Sequence, residues 1–326
     1  MVALIRLLFA LGIVGGLLKI FSTKKRGHVI SETSNCQDEF LILNGNLDIP
    51  KSKLQKLKRA RRAIQKAIKR YFESQKGFYI PKFATQGSFP CGTMIRTRKD
   101  VCDFDVGIYF FEKPAKAFET IQKHIKRALL GHTTAGITLM PKCVRLNYQG
   151  DFHIDMPIYY TEDEQQYYLG SKGGEWELCD SKVFKDWLLA NTNENPQIIR
   201  MIRYFKAWSD EYRFKKRIKM PSGLVFTIWV IQFYKSSKRD DVAFVHTAAA
   251  ILEYLKDNFQ FAWECKMPVE PYDNVLDKLS KQQQSNFYGA LKELINKGFD
   301  ALTEEDKIKA MKVWVSLFGK RFPNNH

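Results

Sequence analysis

The chain has 326 residues, 45% of them hydrophobic and 13% aromatic, which excludes a disordered or fibrous protein and leaves room for two modest domains with cores of their own. Its 52 Lys+Arg against 35 Asp+Glu give a formal net charge of +17, so it attracts polyanions: nucleotides, nucleic acid or an anionic membrane. Six cysteines, at 36, 91, 102, 143, 179 and 265, make no CxxC pair and no zinc spacing, which points to reduced, mostly buried thiols of a cytosolic domain.

In chain order, the first segment is "MVALIRLLFALGIVGGLLKIFSTKKRG", with twelve uncharged residues, Leu7 to Leu18, between Arg6 and Lys19. Val2 to Phe21 is long enough to span a bilayer if both charges snorkel to the interfaces. Lys24, Lys25 and Arg26 would then hold the rest of the chain on the cytoplasmic side, anchored to the inner membrane by residues 1–22. No A-x-A site follows, which argues against a cleaved signal peptide. The alternative is a helix that packs on the domain or lies on a membrane surface.

Residues 23–50 read as a polar linker followed by a short apolar stretch. A long helix is expected over 51–76, where Leu54, Leu57, Ala60, Ile64, Ala67, Ile68, Tyr71 and Phe72 recur at three-to-four spacing. Its other face is nearly all basic: Lys53, Lys56, Arg59, Arg62, Lys66 and Lys69. The plainer reading is a solvated face on a support helix; the functional one is contact with the phosphates of a nucleic-acid activator. Residues 78–110 read as strand, Gly-Ser turn, short helix or loop, then strand. A helix follows over 114–131 with Phe118, Ile121, Ile125 and Leu129 inward, then a hairpin over 135–160 that turns at Gln149-Gly150. "GSKGGEW" at 170–176 is a glycine-rich loop. Helices are expected near 181–190, 196–216, 222–236, 242–258, 280–297 and 303–318. An α/β half over 23–180 thus precedes a helical half over 181–326.

The chemistry concentrates in "TQGSFPCGTMIRTRKDVCDFDVGIYF". Residues two apart on a strand share a face, so Asp103 and Asp105 present both carboxylates together. Two like charges so close destabilise one another unless a cation lies between them. Hard oxygen ligands suit Mg²⁺ or Mn²⁺, which also accept phosphate oxygens. "FHIDMPIYY" offers Asp155, between Ile154 and Met156, as a third carboxylate on a neighbouring strand. Three carboxylates can hold two metals for attack on a triphosphate. Gly87 lets backbone approach a phosphate closely, and Ser88 adds a hydroxyl to the cradle. A lone D-x-D or a lone Gly-Ser is weak; the ordered set is far more specific. Tyr109, Tyr159 and Tyr160 can stack on a base, but strand aromatics more often belong to the core. His153, on the same strand face as Asp155, reads as a neighbour of the site, and Cys91 and Cys102 as packing thiols.

With these residues in place, the chain resembles the polymerase-β-like nucleotidyltransferases, and among them the CD-NTases, bacterial cyclic-oligonucleotide synthases of anti-phage (CBASS) signalling related to cGAS and the oligoadenylate synthases. The resemblance covers roughly 45–320 and rests on "TQGSFPCGTMIRT", "DFDVGIYF", "FHIDMPIYY", "GGEWELCDSKVFKDWL" and "MIRYFKAWSDEYRFKKRIKMPSGLVFTIWVI". It implies an α+β fold: a mixed twisted sheet with helices, plus a C-terminal helical domain like that of poly(A) polymerases and oligoadenylate synthases. It implies that Asp103 and Asp105 bind both metals, and that Asp155 binds one and helps deprotonate the acceptor hydroxyl. Gly87, Ser88, Lys206 and Ser222 would contact the donor triphosphate. The implied substrates are ATP and other NTPs, the implied product a cyclic di- or trinucleotide with release of pyrophosphate. The alternatives are a linear oligonucleotide or RNA-tailing enzyme, and a membrane-tethered basic RNA- or nucleotide-binding module without catalysis. No His/Cys/Cys/Cys zinc insertion is present, unlike in the animal members. A nucleic-acid or protein activator and the oligomeric state stay open.

Overall fold

The computed structural model describes residues 30–179, 181–258 and 263–324. The segment 1–22, read above as a membrane candidate, lies outside them. Among the described residues, no helix is long and apolar enough to cross a membrane.

Two strands organise the first half. In β2 (Cys102–Phe110) and β5 (Phe152–Tyr160), the even-numbered residues Phe104, Val106, Ile108, Ile154, Met156 and Ile158 are buried. They face a core that also takes Leu57, Ile64, Ile68 and Phe72 of the long helix α2 (Lys51–Glu73), and Phe118, Ile121 and Ile125 of α3 (Phe118–Ala128). Period-two alternation therefore turns the odd residues, among them Asp103, Asp105 and Asp155, to the opposite face. The sheet runs β1-β2-β5-β4-β3, with β1 (Lys82–Gln86), β3 (Ile137–Leu139) and β4 (Cys143–Tyr148). The short β6 (Tyr168–Leu169) and β7 (Glu177–Leu178) extend it from β5. β2 and β5 are parallel; β1 is antiparallel to β2, and β4 to β5, as the expected hairpin requires.

The second half is helical: α4 (Ser181–Thr192), α5 (Pro196–Lys216), α6 (Gly223–Phe233), α7 (Asp240–Asp257), α8 (Lys281–Thr303) and α9 (Lys307–Phe318). α5 is its axis, with Met201, Ile202, Tyr204, Phe205 and Trp208 fully buried. Its start is set by Pro196 at the first helical position and by Asn195, whose side chain accepts the Gln197 N–H at 3.0 Å. Its end is a left-handed Arg217, φ 54°.

Two sequence readings are corrected. Residues 23–50 are not all linker: α1 (Gln37–Asn46) is a helix whose Phe40 and Leu43 are fully buried in the helical half's core. Phe40 meets Trp314 edge-on at 4.9 Å, and its carbonyl accepts the Tyr204 hydroxyl at 2.7 Å. The apolar residues of α1, Phe40, Leu41, Ile42 and Leu43, run consecutively, with Leu41 and Ile42 exposed, so the three-to-four spacing that marks a helix is absent. Lys53 is not on the solvated face of α2: it is buried and paired with Asp151 at 3.1 Å and Asp100 at 3.2 Å. The stem of a lysine covers apolar surface, so position on the helix rather than residue type set its burial.

Candidate active site

Parallel pairing places Asp105 directly beside Asp155, and Asp103 beside His153. All three aspartates line one cavity of about 530 Å³ between the sheet and the helical half. Gly87, Ser88, Lys206 and Gly223 also line it, with Phe184, Leu188, Leu224 and Met267 supplying apolar surface. Burial, then the Asp155 and Asp103 carboxylates, push the Asp105 carboxyl up to about 7; Arg145 and Lys206 pull the other way without cancelling that.

The Gly-Ser turn touches the carboxylates. Gly87 has φ +73°, and a Cβ placed there would lie 2.1 Å from Asp105 Oδ2. Only glycine permits this approach. Gly87→Ala is therefore expected to cost about 1–3 kcal/mol of stability, combining left-handed strain with displacement of Asp105. Urea denaturation measures this, and unchanged stability together with unchanged turnover would refute the packing argument.

Lys206 projects from α5, and its Nζ donates to the Thr93 carbonyl at 3.1 Å and the Thr93 hydroxyl at 3.0 Å. Thr93 N–H in turn donates to the Ser88 carbonyl at 3.0 Å, so the lysine braces the Gly87-Ser88 turn. Burial lowers its ammonium to about 8. Ser222 caps α6, accepting the Val225 N–H at 3.4 Å, and is exposed. It stands beside the cavity rather than in its wall, which its neighbour Gly223 forms.

Sequence reasoning missed Arg145. It lies opposite Asp155 on β4 and grips that carboxylate with two bonds, Nε to Oδ1 at 2.7 Å and Nη2 to Oδ2 at 2.6 Å. The signal was present, since Arg145 is a charged residue on the polar face of the alternating "CVRLNY", as Asp105 is on its own strand. Among the described residues, no three carboxylate, imidazole or thiol groups converge into a preformed metal cage. Of the three aspartates, Asp103 and Asp105 make no ion pair among the described residues, and Asp155 is engaged by Arg145. This hard-oxygen set, with a carboxyl held up by burial and by its neighbours' negative charge, has the chemistry a divalent cation satisfies.

The remaining residues follow the plainer readings. Tyr109, Tyr159 and Tyr160 are buried; Tyr109 stacks on Tyr159 with ring centroids 4.9 Å apart, and Tyr160 on Tyr168 at 4.9 Å. Cys91 and Cys102 are free, buried thiols, and burial pushes the Cys102 thiol up to about 11. His153 Nδ1 is buried with no hydrogen-bond partner among the described residues.

The family described as "Cyclic GMP-AMP synthase DncV-like, nucleotidyltransferase domain" matches residues 81–159, the stretch that holds all three aspartates and Gly87-Ser88. A cyclic GMP-AMP synthase of Escherichia albertii is 25% identical over 206 residues, a match spanning 59% of this chain and 45% of that relative. The chain thus matches less than half of that relative's length. A c-di-GMP synthase of Roseivirga ehrenbergii is 27% identical over 262 residues, 71% of this chain and 69% of the relative. The Vibrio cholerae DncV cyclic AMP-GMP synthase, solved with nonhydrolyzable GTP, shares the fold with a TM-score of 0.75 at 17% identity, covering 89% of this chain and 97% of that one. The mixed sheet, the helical second half and these matches agree: residues 81–159 match the DncV-like nucleotidyltransferase domain, and the whole described chain has the fold of the DncV synthase.

Proposed function

We propose that the protein joins NTPs into a cyclic di- or trinucleotide with release of pyrophosphate, using Mg²⁺ or Mn²⁺, as a signal in defence against phage. One observation carries the chemistry: Asp105 and Asp155 side by side, with Asp103, lining one cavity with the Gly87-Ser88 turn and Lys206. The names of the relatives, cyclic GMP-AMP synthase and c-di-GMP synthase, support the class of product. The defence role rests on the resemblance to the CBASS synthases.

In this reading Asp103 and Asp105 hold the divalent ions, with Asp155 joining them. When bound, such ions neutralise the triphosphate and make a ribose hydroxyl easier to deprotonate. Lys206 and the backbone at Gly87-Ser88 hold the donor phosphates. Asp155 accepts the proton of the attacking hydroxyl, and Arg145 fixes the direction of that carboxylate. Ser222, at the N-terminus of α6, lies where an approaching phosphate meets free backbone N–H groups.

The test is the product. The full chain is incubated with all four NTPs and Mg²⁺, then with phosphatase and a nuclease that needs free ends, and what survives is identified by mass spectrometry. A surviving cyclic product is expected. A product degraded as a linear chain would favour an oligonucleotide or tailing enzyme. No turnover with either metal in any nucleotide mixture, even with infected-cell extract, alongside tight RNA binding would favour a binding module.

A further inference from the structure

A second cavity, of about 660 Å³, lies between the C-terminal residues of the helical half and the segment that precedes β2. Its volume suits a small ligand. Four cations line it, Arg98, Lys215, Lys312 and Lys320, against one carboxylate, Glu211. That carboxylate is already taken. Glu211 is buried, bonded by Arg98 Nη1 at 2.6 and 2.7 Å and by Lys215 Nζ at 3.1 Å. Gly319 closes its remaining side, because a Cβ there would lie 2.5 Å from the carboxylate.

The surplus charge has a recognisable shape. Arg98 spends only Nη1 on Glu211, and no hydrogen bond among the described residues uses its Nε or Nη2. Those two nitrogens form the planar fork that receives a carboxylate or phosphate in bidentate fashion. The Phe214 ring, 4.0 Å from the guanidinium carbon, fixes the plane of that fork. Lys312 and Lys320 are exposed and make no ion pair among the described residues.

We propose that this cavity binds a compact polyanion with two or more carboxylate or phosphate groups, seated on the Arg98 fork and held by Lys312 and Lys320. Such a ligand is coupled to the first cavity through two adjacent residues. Arg98 lines the second cavity while Thr97 lines the first. The Arg98 N–H is anchored on Asp210 at 2.6 Å. The Thr97 hydroxyl donates to the Val101 carbonyl at 2.6 Å and accepts the Val101 N–H at 3.1 Å, two residues before Asp103. An anion on Arg98 therefore stiffens residues 97–103.

The probes are sodium citrate and inorganic tripolyphosphate, each titrated calorimetrically into the full metal-free chain at low ionic strength. We expect a binding event that the double variant Lys312→Ala/Lys320→Ala weakens at least tenfold and that Lys206→Met leaves in place. Binding of citrate alone or of tripolyphosphate alone supports the proposal and assigns the anion class. Binding abolished by Lys206→Met and indifferent to the lysine pair, or no binding by either probe, overturns it. Amide exchange at 97–103 should slow on binding in the wild type only; unchanged exchange with the affinity intact overturns the coupling. Neither readout depends on turnover, so failure here leaves the proposed activity standing, and failure of turnover leaves this site standing.

Discussion

Asp105→Asn is expected to abolish nucleotide turnover while making the metal-free protein more stable at pH 8. The two effects come from one cause. Asp105 is held against Asp155 and Asp103 in a partly buried site, and its carboxyl is pushed up to about 7 from an ordinary 3.8. For an acid raised in the folded state, the fold keeps a proton that the unfolded chain has lost between these two values. Stability therefore falls as pH rises from about 3.8 to about 7, and the whole loss is present above that. The size is on the order of 4 kcal/mol, since each tenfold change in proton affinity is worth about 1.4 kcal/mol. Asparagine keeps the shape and removes the charge, so the melting temperature at pH 8 should rise by several degrees and its decline between pH 4 and 7 should flatten. Turnover should drop on the order of a thousandfold or more, because a neutral amide gives up the charge that a divalent cation requires. Calorimetry with EDTA at pH 5 and 8, beside an activity assay with Mg²⁺, separates the outcomes. An unchanged or lower melting temperature at pH 8 would mean that burial and the neighbouring carboxylates do not disfavour the charged form of Asp105.

The second large effect concerns Lys206. Burial lowers its ammonium to about 8, so the unfolded chain binds a proton that the fold lacks between about 8 and the ordinary 10.5. The fold alone thus becomes more stable as pH rises through that window. Nucleotide binding runs the other way, because a triphosphate pairs only with the charged form. Affinity for a nonhydrolysable NTP should fall above pH 8, approaching tenfold per pH unit for a single proton. Lys206→Met should bind on the order of 10–100-fold more weakly at pH 7, with a flat dependence from pH 7 to 9. Titration calorimetry across that range is the check. Full retention of affinity by Lys206→Met would remove the lysine from the phosphate site and leave it only its brace on Thr93.

Much of the architecture was legible because it depends on local periodicity. The bounds 196–216 for α5 follow from Pro196, Asn195 and the loss of pattern after Lys216, all short-range signals. The alternation around Asp103, Asp105 and Asp155 made each a charged residue on an otherwise apolar strand, and the strands formed where that pattern lay. α1 was missed because its apolar residues, Phe40 to Leu43, are contiguous rather than three to four apart, and only Phe40 and Leu43 of them reach the core. Its partners Trp314 and Tyr204 lie far along the chain.

The set of elements, and which side chains share a strand face, are local properties, since both follow from repeats of two and of about three and a half residues. Which strand lies next to which, and in what register, was decided only by the tertiary structure. Register sets Asp105 against Asp155, Arg145 on the far side of Asp155, and Gly87 within touching distance of the Asp105 carboxylate. The docking of the helical half placed Lys206 over Thr93, left Ser222 at the cavity's edge, and made the basic hollow around Arg98. The physical reason is that a strand's pattern says which face is apolar, whereas pairing and docking depend on contacts between residues far apart in the chain, which no local repeat encodes.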